Sequence, residues 1–215
     1  MPCLIVNLVS IQLESENLQF ISKPLIVLTL IAYFLSETKS YNSKLDKWFV
    51  SALSFSWLGD VLLMFQEKNA LFFLLGLSAF LIAHIFYIVF FHNIKTREKV
   101  SSRWLLLLPV VIYYAVLIGI LYPHLADMKI PVPVYGIVIS FMLLLALHML
   151  FIKNKSAGQW MMFGAVLFIA SDSVLAFNKF YQSFEAAGII IMITYGLAQF
   201  FIVQGAVKYI CKSKN

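Results

Sequence analysis

Seven apolar runs, each near the ~20 residues needed to cross a bilayer, follow one another along this chain. We place helices in them at residues 20–35, 46–66, 70–92, 104–122, 131–152, 158–178 and 186–209. A shorter run at residues 3–13 lacks the basic start and small-residue cleavage pattern of a signal peptide, so we expect a short first span. With 62% hydrophobic and 12% charged residues, a soluble domain is excluded. The sequence predicts one all-α transmembrane bundle of about eight helices, a single domain over residues 1–215.

Basic residues are divided unevenly between the two sides that alternating loops define. One side holds 12 of them, and the other holds 4. The 12 are Lys39, Lys44, Lys47, Lys95, Arg97, Lys99, Arg103, Lys153, Lys155, Lys208, Lys212 and Lys214; the 4 are Lys23, Lys68, Lys129 and Lys179. The richer side is predicted to be cytoplasmic, with both chain termini on it. This scatter explains the net charge of +6, so we expect no nucleic-acid partner. From the compact chain and the lack of a recognisable targeting segment, we expect a bacterial inner membrane as its location.

Two aspartates interrupt apolar runs, Asp60 in SFSWLGDVLLMF and Asp172 in GAVLFIASDSVLAF. An ionisable group within a membrane is costly, and it usually faces a cavity where it binds, relays protons or catalyses. Both runs end near the non-cytoplasmic edge, and the rise of ~1.5 Å per residue puts both carboxyl groups roughly 9 Å inside it. The plainer alternative is that each aspartate only hydrogen-bonds a neighbouring helix.

Further polar residues fall on other helices at increasing depths below the same edge, from Lys23 at the mouth of its helix to His84 and Gln199 deepest. They are Lys23, His84, Tyr135, Tyr195 and Gln199. We predict that these side chains converge with the aspartates on a cavity that opens outward. Each also has a structural interpretation, since Lys23 can extend to the headgroups, and His84 and Gln199 can simply hydrogen-bond between helices. The sequence contains no HExxH pair and its two cysteines lie near opposite ends, so it predicts neither a metal site nor a cofactor.

Six short motifs occur in a characteristic order: KPL at 23–25, GDVLLM at 59–64, GLSAFLIAHIFYI at 76–88, PVYG at 133–136, GAVLFIASDSVLAFNKF at 164–180 and TYGLAQ at 194–199. Their order and spacing resemble the YhhN-like lysoplasmalogenase family of multi-span membrane proteins. The resemblance implies an eight-helix enzyme that hydrolyses the vinyl ether bond of lysoplasmalogens to a fatty aldehyde and glycerophosphocholine or glycerophosphoethanolamine. By motif, Asp60 and Asp172 would be the essential carboxylates, with Lys23, His84, Tyr195 and Gln199 lining the site. The first span is shorter than is usual in that family.

The residues suit this chemistry independently of the resemblance. A vinyl ether hydrolyses by protonation of its β-carbon, which gives an oxocarbenium-like cation that water attacks. One carboxylic acid and one carboxylate supply the acid, the base and the stabilisation of that cation. The sequence leaves open which aspartate has which role. The partners expected are a lysophospholipid and membrane lipids. A small proton-coupled transporter and a hydrolase of another lysolipid bond are the alternatives, although no GxSxG motif supports acyl-enzyme chemistry.

Overall fold

The computed structural model describes residues 2–13, 15–41 and 43–212, and these residues form eight α-helices. The helices are α1 (Pro2–Gln12), α2 (Glu16–Thr38), α3 (Asp46–Leu63), α4 (Ala70–Arg97), α5 (Leu107–Leu121), α6 (Pro131–His148), α7 (Lys155–Phe180) and α8 (Ala187–Lys212). Short 3₁₀ turns precede α5 and follow α5 and α6. Lys214 of the charge count lies outside the described residues. The predicted all-α bundle, with a short first helix, is confirmed.

Several helices extend beyond the apolar runs that predicted them. Helix α4 continues to Arg97, and α7 begins at Lys155, where the Asn154 side chain accepts a hydrogen bond from the Ala157 amide at 3.2 Å. Helix α4 likewise begins after Asn69, whose side chain accepts from the Leu71 amide at 2.8 Å. Capping residues and basic last turns set these ends, whereas hydropathy marks only the part of a helix that suits hydrocarbon.

Six helices are long and apolar enough to cross a membrane, namely α2, α4, α5 with its flanking turns, α6, α7 and α8. The protein is therefore an integral membrane protein. Helix α3, which the sequence predicts as a full span, is not among the six. It has 18 residues and includes Asp46, Lys47 and Asp60, so that a large share of a short helix is charged. Its packing between α2 and α4 buries Asp60, whereas Asp46 and Lys47 lie in the first turn, where Asp46 is partly exposed and Lys47 is exposed.

Six of the helices form a closed ring in the order α2, α3, α4, α6, α7 and α8, with α8 returning to α2. Helix α1 packs outside this ring against α2 and α8, and α5 packs against α6 with a small contact to α7. The closest pair is α7 with α8. A Cβ on Gly164 would lie 2.8 Å from the Ala198 carbonyl oxygen, so only glycine allows this approach.

Aromatic rings fill the centre of the ring of helices. Phe168 of α7 is fully buried and lies edge-on to both His84 and Tyr195, with centroid distances of 4.8 and 5.4 Å. Phe80 of α4 lies against α3 at Gly59, where an added Cβ would come within 2.6 Å of the ring. This packing holds the side chains of the neighbouring polar residues in place, because the aromatic contacts leave little room for other rotamers.

Candidate active site

Asp60 lies at the end of a buried chain of hydrogen bonds. The Tyr195 hydroxyl donates to Asp60 Oδ2 at 2.6 Å, and the Gln199 amide donates to the Tyr195 oxygen at 3.3 Å. The Tyr87 hydroxyl in turn donates to Gln199 Oε1 at 2.7 Å. All four side chains are buried. The chain joins α3, α4 and α8, and it holds the Tyr195 hydroxyl towards the carboxyl group.

Asp172 has a second tyrosine and a histidine beside it. The Tyr135 hydroxyl of α6 donates a hydrogen bond to Asp172 Oδ2, and His84 Nε2 of α4 lies 4.0 Å from the same oxygen. His84 Nδ1 is 2.6 Å from the Phe80 carbonyl oxygen. Since a carbonyl oxygen can only accept, Nδ1 carries a proton, and Nε2 is the nitrogen that can exchange a proton with its surroundings. Nε2 has no hydrogen-bond partner among the described residues.

Both carboxyl groups line one polar cavity of about 280 Å³. Lys23 and Tyr195 line it as well, together with polar side chains from four elements: Asn7 of α1, Gln19 of α2, Gln66 after α3, and Asn178 of α7. Among the described residues, Lys23 is the only basic one on the lining. The cavity lies towards the end of the bundle where Lys179 Nζ and Glu67 Oε1 are 4.0 Å apart. A ligand in it would meet one cation, two carboxyl groups and several amides.

A second cavity, narrower at about 50 Å³, lies under α5 between α4, α6 and α7. Its lining is apolar except for Tyr113, Tyr135 and Asp172. The two cavities share Leu63, Phe80, Asp172 and Leu175. Asp172 is thus the ionisable residue common to both, whereas Asp60 lines only the polar cavity.

The residues that the sequence singled out lie on the two cavities or directly behind them. Lys23, Asp60, Asp172 and Tyr195 line the polar cavity, Tyr135 lines the apolar one, and His84 lies beside Asp172. Gln199 lines neither cavity and is fully buried behind Tyr195. In the described ranges no cluster of three or more His, Cys, Asp or Glu residues is placed to hold a metal ion.

Sequence reasoning missed Asn7, Gln66, Tyr87 and Tyr113. Tyr87 and Tyr113 did not stand out in the sequence because many aromatic residues surround them, and Gln66 did not stand out because it lies at the edge of a loop. Asn7 carried a readable signal, because it is the only amide within the apolar run CLIVNLVSI.

The helical bundle makes this a polytopic membrane protein. Its cavity holds two carboxyl groups, each hydrogen-bonded by a tyrosine, which together form a potential acid–base site. Within that class the chain belongs to the YhhN family, whose model matches residues 18–206. Helix α1 precedes the matched region.

Curated relatives include lysoplasmalogenase TMEM86B from Rattus norvegicus, 31% identical over 186 residues that cover 86% of this chain and 71% of the relative. The Homo sapiens protein of the same name is also 31% identical, covering 86% of this chain and 73% of its own length. A lysoplasmalogenase from Mycobacterium tuberculosis is 32% identical over 162 residues, or 74% of this chain and 60% of the relative. No solved structure matches the chain significantly.

Proposed function

We propose that this protein is a lysoplasmalogenase, which cleaves the vinyl ether bond of 1-alkenyl-lysoglycerophospholipids to a fatty aldehyde and a glycerophospho-base. The observation that carries the proposal is that two carboxyl groups in different surroundings line one cavity. The names of its family relatives support the substrate class. The reaction needs only a proton donor, a base and water, which carboxyl groups in a hydrated cavity supply.

In this mechanism Asp172 is the acid. The β-carbon of a vinyl ether is the one joined to the alkyl chain, so the proton donor must reach the side of the bond where the chain begins. Asp172 meets that requirement because it lines both the apolar and the polar cavity. Transfer of its proton to the β-carbon leaves the Asp172 carboxylate and an oxocarbenium-like cation, which the new negative charge stabilises.

Asp60 is the base. It lines the polar cavity, through which water reaches the site, and it is 2% exposed. Water attacks the carbon that bears the ether oxygen and gives its proton to Asp60, which forms a hemiacetal. The hemiacetal hydroxyl then gives its proton to Asp172 as the carbonyl forms, and Asp60 protonates the departing glycerol oxygen. Both carboxyl groups return to their starting states, and one water is consumed.

The neighbouring residues act as positioning groups. Tyr195 and Tyr135 each donate to one carboxyl oxygen, which leaves the second oxygen of that group for substrate or water. Gln199 fixes the Tyr195 hydroxyl from behind. The free Nε2 of His84 gives Asp172 a nearby group with which to exchange its proton.

The two cavities suit the two ends of a lysolipid. We place the phosphate near Lys23 in the polar cavity and the first carbons of the alkenyl chain in the apolar one, with the vinyl ether at Asp172. The narrow apolar cavity takes one chain, and the remainder of the chain passes α5 into lipid. We further propose that the site opens on the non-cytoplasmic side of a bacterial inner membrane, because the loops at the opposite end carry most of the Lys and Arg.

Aldehyde release from a 1-alkenyl-lysophospholipid by the purified protein in detergent tests the proposal, with the 1-acyl analogue as the matched control. We expect aldehyde from the alkenyl lipid and no fatty acid from the acyl lipid. Fatty acid release instead would point to a different lysolipid bond. If a folded, monodisperse sample turned over neither lipid, enzyme function would be rejected in favour of a proton-coupled carrier, for which detergent removes the gradient.

A further inference from the structure

Asn7 is a buried amide that lines the polar cavity, and its carbonyl oxygen Oδ1 is buried without a hydrogen-bond partner among the described residues. The residue is 1% exposed and lines that cavity. Asn7 Oδ1 accepts no hydrogen bond from the part of the chain that the structure describes. A buried acceptor left unpaired is costly, so its persistence beside a cavity points to a donor that arrives with a ligand.

The orientation of this amide follows from its neighbours. The Ser22 hydroxyl donates to the Leu18 carbonyl oxygen at 2.7 Å, and a hydroxyl has a single proton to give. Ser22 Oγ therefore accepts from Asn7, at 2.8 Å, and only the Nδ2 end of the amide can donate. The other end of the amide is then the acceptor Oδ1, and rotation by 180° would place two acceptors against each other.

The position of Asn7 along the bundle sets which part of a lysolipid it would meet. Its partner Ser22 is adjacent to Lys23 in α2. A Cβ on Gly196 would lie 2.6 Å from Leu4, and one on Gly188 would lie 3.9 Å from Ile11, so α1 runs antiparallel to α8. Asn7 thus lies opposite α8 within one helical turn, roughly 3–5 Å along the axis, of Tyr195, whose hydroxyl donates to Asp60.

That offset matches the chemistry of the proposed substrate. In a lysoplasmalogen the hydroxyl on glycerol C2 lies a few bonds, roughly 5 Å, from the vinyl ether carbon that water attacks. The phosphate lies further along, in the direction of Lys23. We infer that Asn7 Oδ1 accepts a hydrogen bond from the C2 hydroxyl of the lysolipid, and that this contact selects lysolipids over lipids acylated at C2. The inference rests on the proposed substrate class and adds the residue that recognises the free C2 hydroxyl of the lysolipid.

The energetic basis is the unpaired acceptor. A site built to pair with a substrate hydroxyl discriminates against an analogue without it, because the buried site group is then left without a partner. An ester at C2 has no proton to donate, and its acyl chain would also have to enter the polar cavity. Helix α1 precedes the residues matched by the family model, so this role falls outside the motifs that carry the resemblance.

The test compares a 1-alkenyl lysolipid with its 2-deoxy analogue, which has the same length and lacks the hydroxyl. We expect the wild-type kcat/KM to fall about tenfold to a hundredfold for the 2-deoxy lipid. In Asn7→Leu the lysolipid should lose a similar factor, while the 2-deoxy lipid should change by less than about threefold. A second variant, Ser22→Ala, retains Oδ1 but removes the acceptor that orients the amide. It should weaken the preference for the hydroxyl by less than Asn7→Leu does, and a complete loss of wild-type preference in Asn7→Leu alone distinguishes the oxygen from the contact between α1 and α2.

A binding measurement keeps the inference separate from catalysis and from folding of the variants. Wild-type protein is titrated with a non-hydrolysable 1-O-alkyl-lysophospholipid and with its 2-deoxy analogue, and we expect the second to bind about tenfold or more weakly. This preference would support the inference even if no aldehyde were released. Equal binding of the two lipids, or an equal loss for both in Asn7→Leu, would overturn it and leave Asn7 as a residue that only holds α1.

Discussion

Asp60 and Asp172 each accept a hydrogen bond from a tyrosine and both line the polar cavity, but the rest of their surroundings differs. Asp60 is tied through Tyr195 to Gln199 and Tyr87 and lines only the polar cavity. Asp172 lines both cavities and has His84 beside it. Two groups that look equivalent in sequence therefore have distinct access to water, to apolar ligand and to a proton-exchanging neighbour. Their proposed roles as base and acid follow from this asymmetry.

The largest effect should come from neutralising either carboxyl group. We expect Asp60→Asn and Asp172→Asn each to lower kcat about a thousandfold, because an amide can neither give nor take the required proton. Lysolipid binding, followed with a non-hydrolysable alkyl ether, should persist in both. The two variants should differ in how azide affects consumption of the substrate, since azide attacks the oxocarbenium-like carbon without a base and forms an α-azido ether. Azide should restore consumption of the vinyl ether in Asp60→Asn alone, with the α-azido ether as product in place of aldehyde, and rescue of Asp172→Asn instead would reverse the assignment of roles.

A smaller loss is expected from the paired tyrosine variants. Tyr195→Phe and Tyr135→Phe should each lower kcat about tenfold to a hundredfold, because each removes one donor that positions a carboxyl group. Gln199→Leu acts one contact further away and should lower kcat by less than Tyr195→Phe. It leaves the buried Tyr87 hydroxyl without its acceptor and should therefore reduce stability by about 1–3 kcal/mol. Steady-state rates and thermal unfolding in detergent separate the two effects, and an unchanged kcat in Tyr195→Phe would contradict the proposed positioning.

Narrowing the apolar cavity should change selectivity for chain length. Ala176→Phe places a ring in the cavity under α5, so kcat/KM should fall about tenfold for long alkenyl chains and much less for short ones. Val166→Phe introduces the same phenyl ring on the exposed face of the same helix and serves as control. An equal fall in kcat/KM for all chain lengths would show that the alkenyl chain does not occupy this cavity.

The smallest effect is expected at Lys23. Lys23→Met should raise KM about fivefold with little change in kcat, because the partly exposed ammonium binds the phosphate in the ground state and the transition state alike. Lys68→Met lies at the same end of the bundle, outside the polar cavity, and should leave KM unchanged. A fall in kcat without a change in KM would place Lys23 in the chemistry instead.

The depth of each polar residue within the bundle could be predicted from the sequence. The direction in which its side chain points around the helix could not. Hydropathy located the apolar runs, and the helical rise then placed Asp60 and Asp172 at one level, with Tyr135 and the somewhat deeper Tyr195 on other helices. That reasoning could not show that the two tyrosine hydroxyls donate to different carboxyl groups. Which residue faces which depends on the order of helices in the ring, and connections of similar length leave that order undetermined.

The contribution of α1 also escaped prediction. Its apolar run is too short to span a bilayer, so the sequence did not indicate a role for the amide of Asn7. The packing of α1 against α2 and α8 is what brings Asn7 to the polar cavity.

Isotope labelling tests the central claim, acid–base cleavage on the vinyl side of the ether, most directly. Turnover of a 1-alkenyl-lysophospholipid is run in D₂O and, separately, in H₂¹⁸O, and both products are analysed by mass spectrometry. The account predicts one deuterium on the carbon next to the aldehyde and a glycerophospho-base that contains no ¹⁸O. A glycerophospho-base that carries ¹⁸O, or an aldehyde without deuterium at that carbon, would contradict protonation by Asp172 and attack by water at the vinyl carbon.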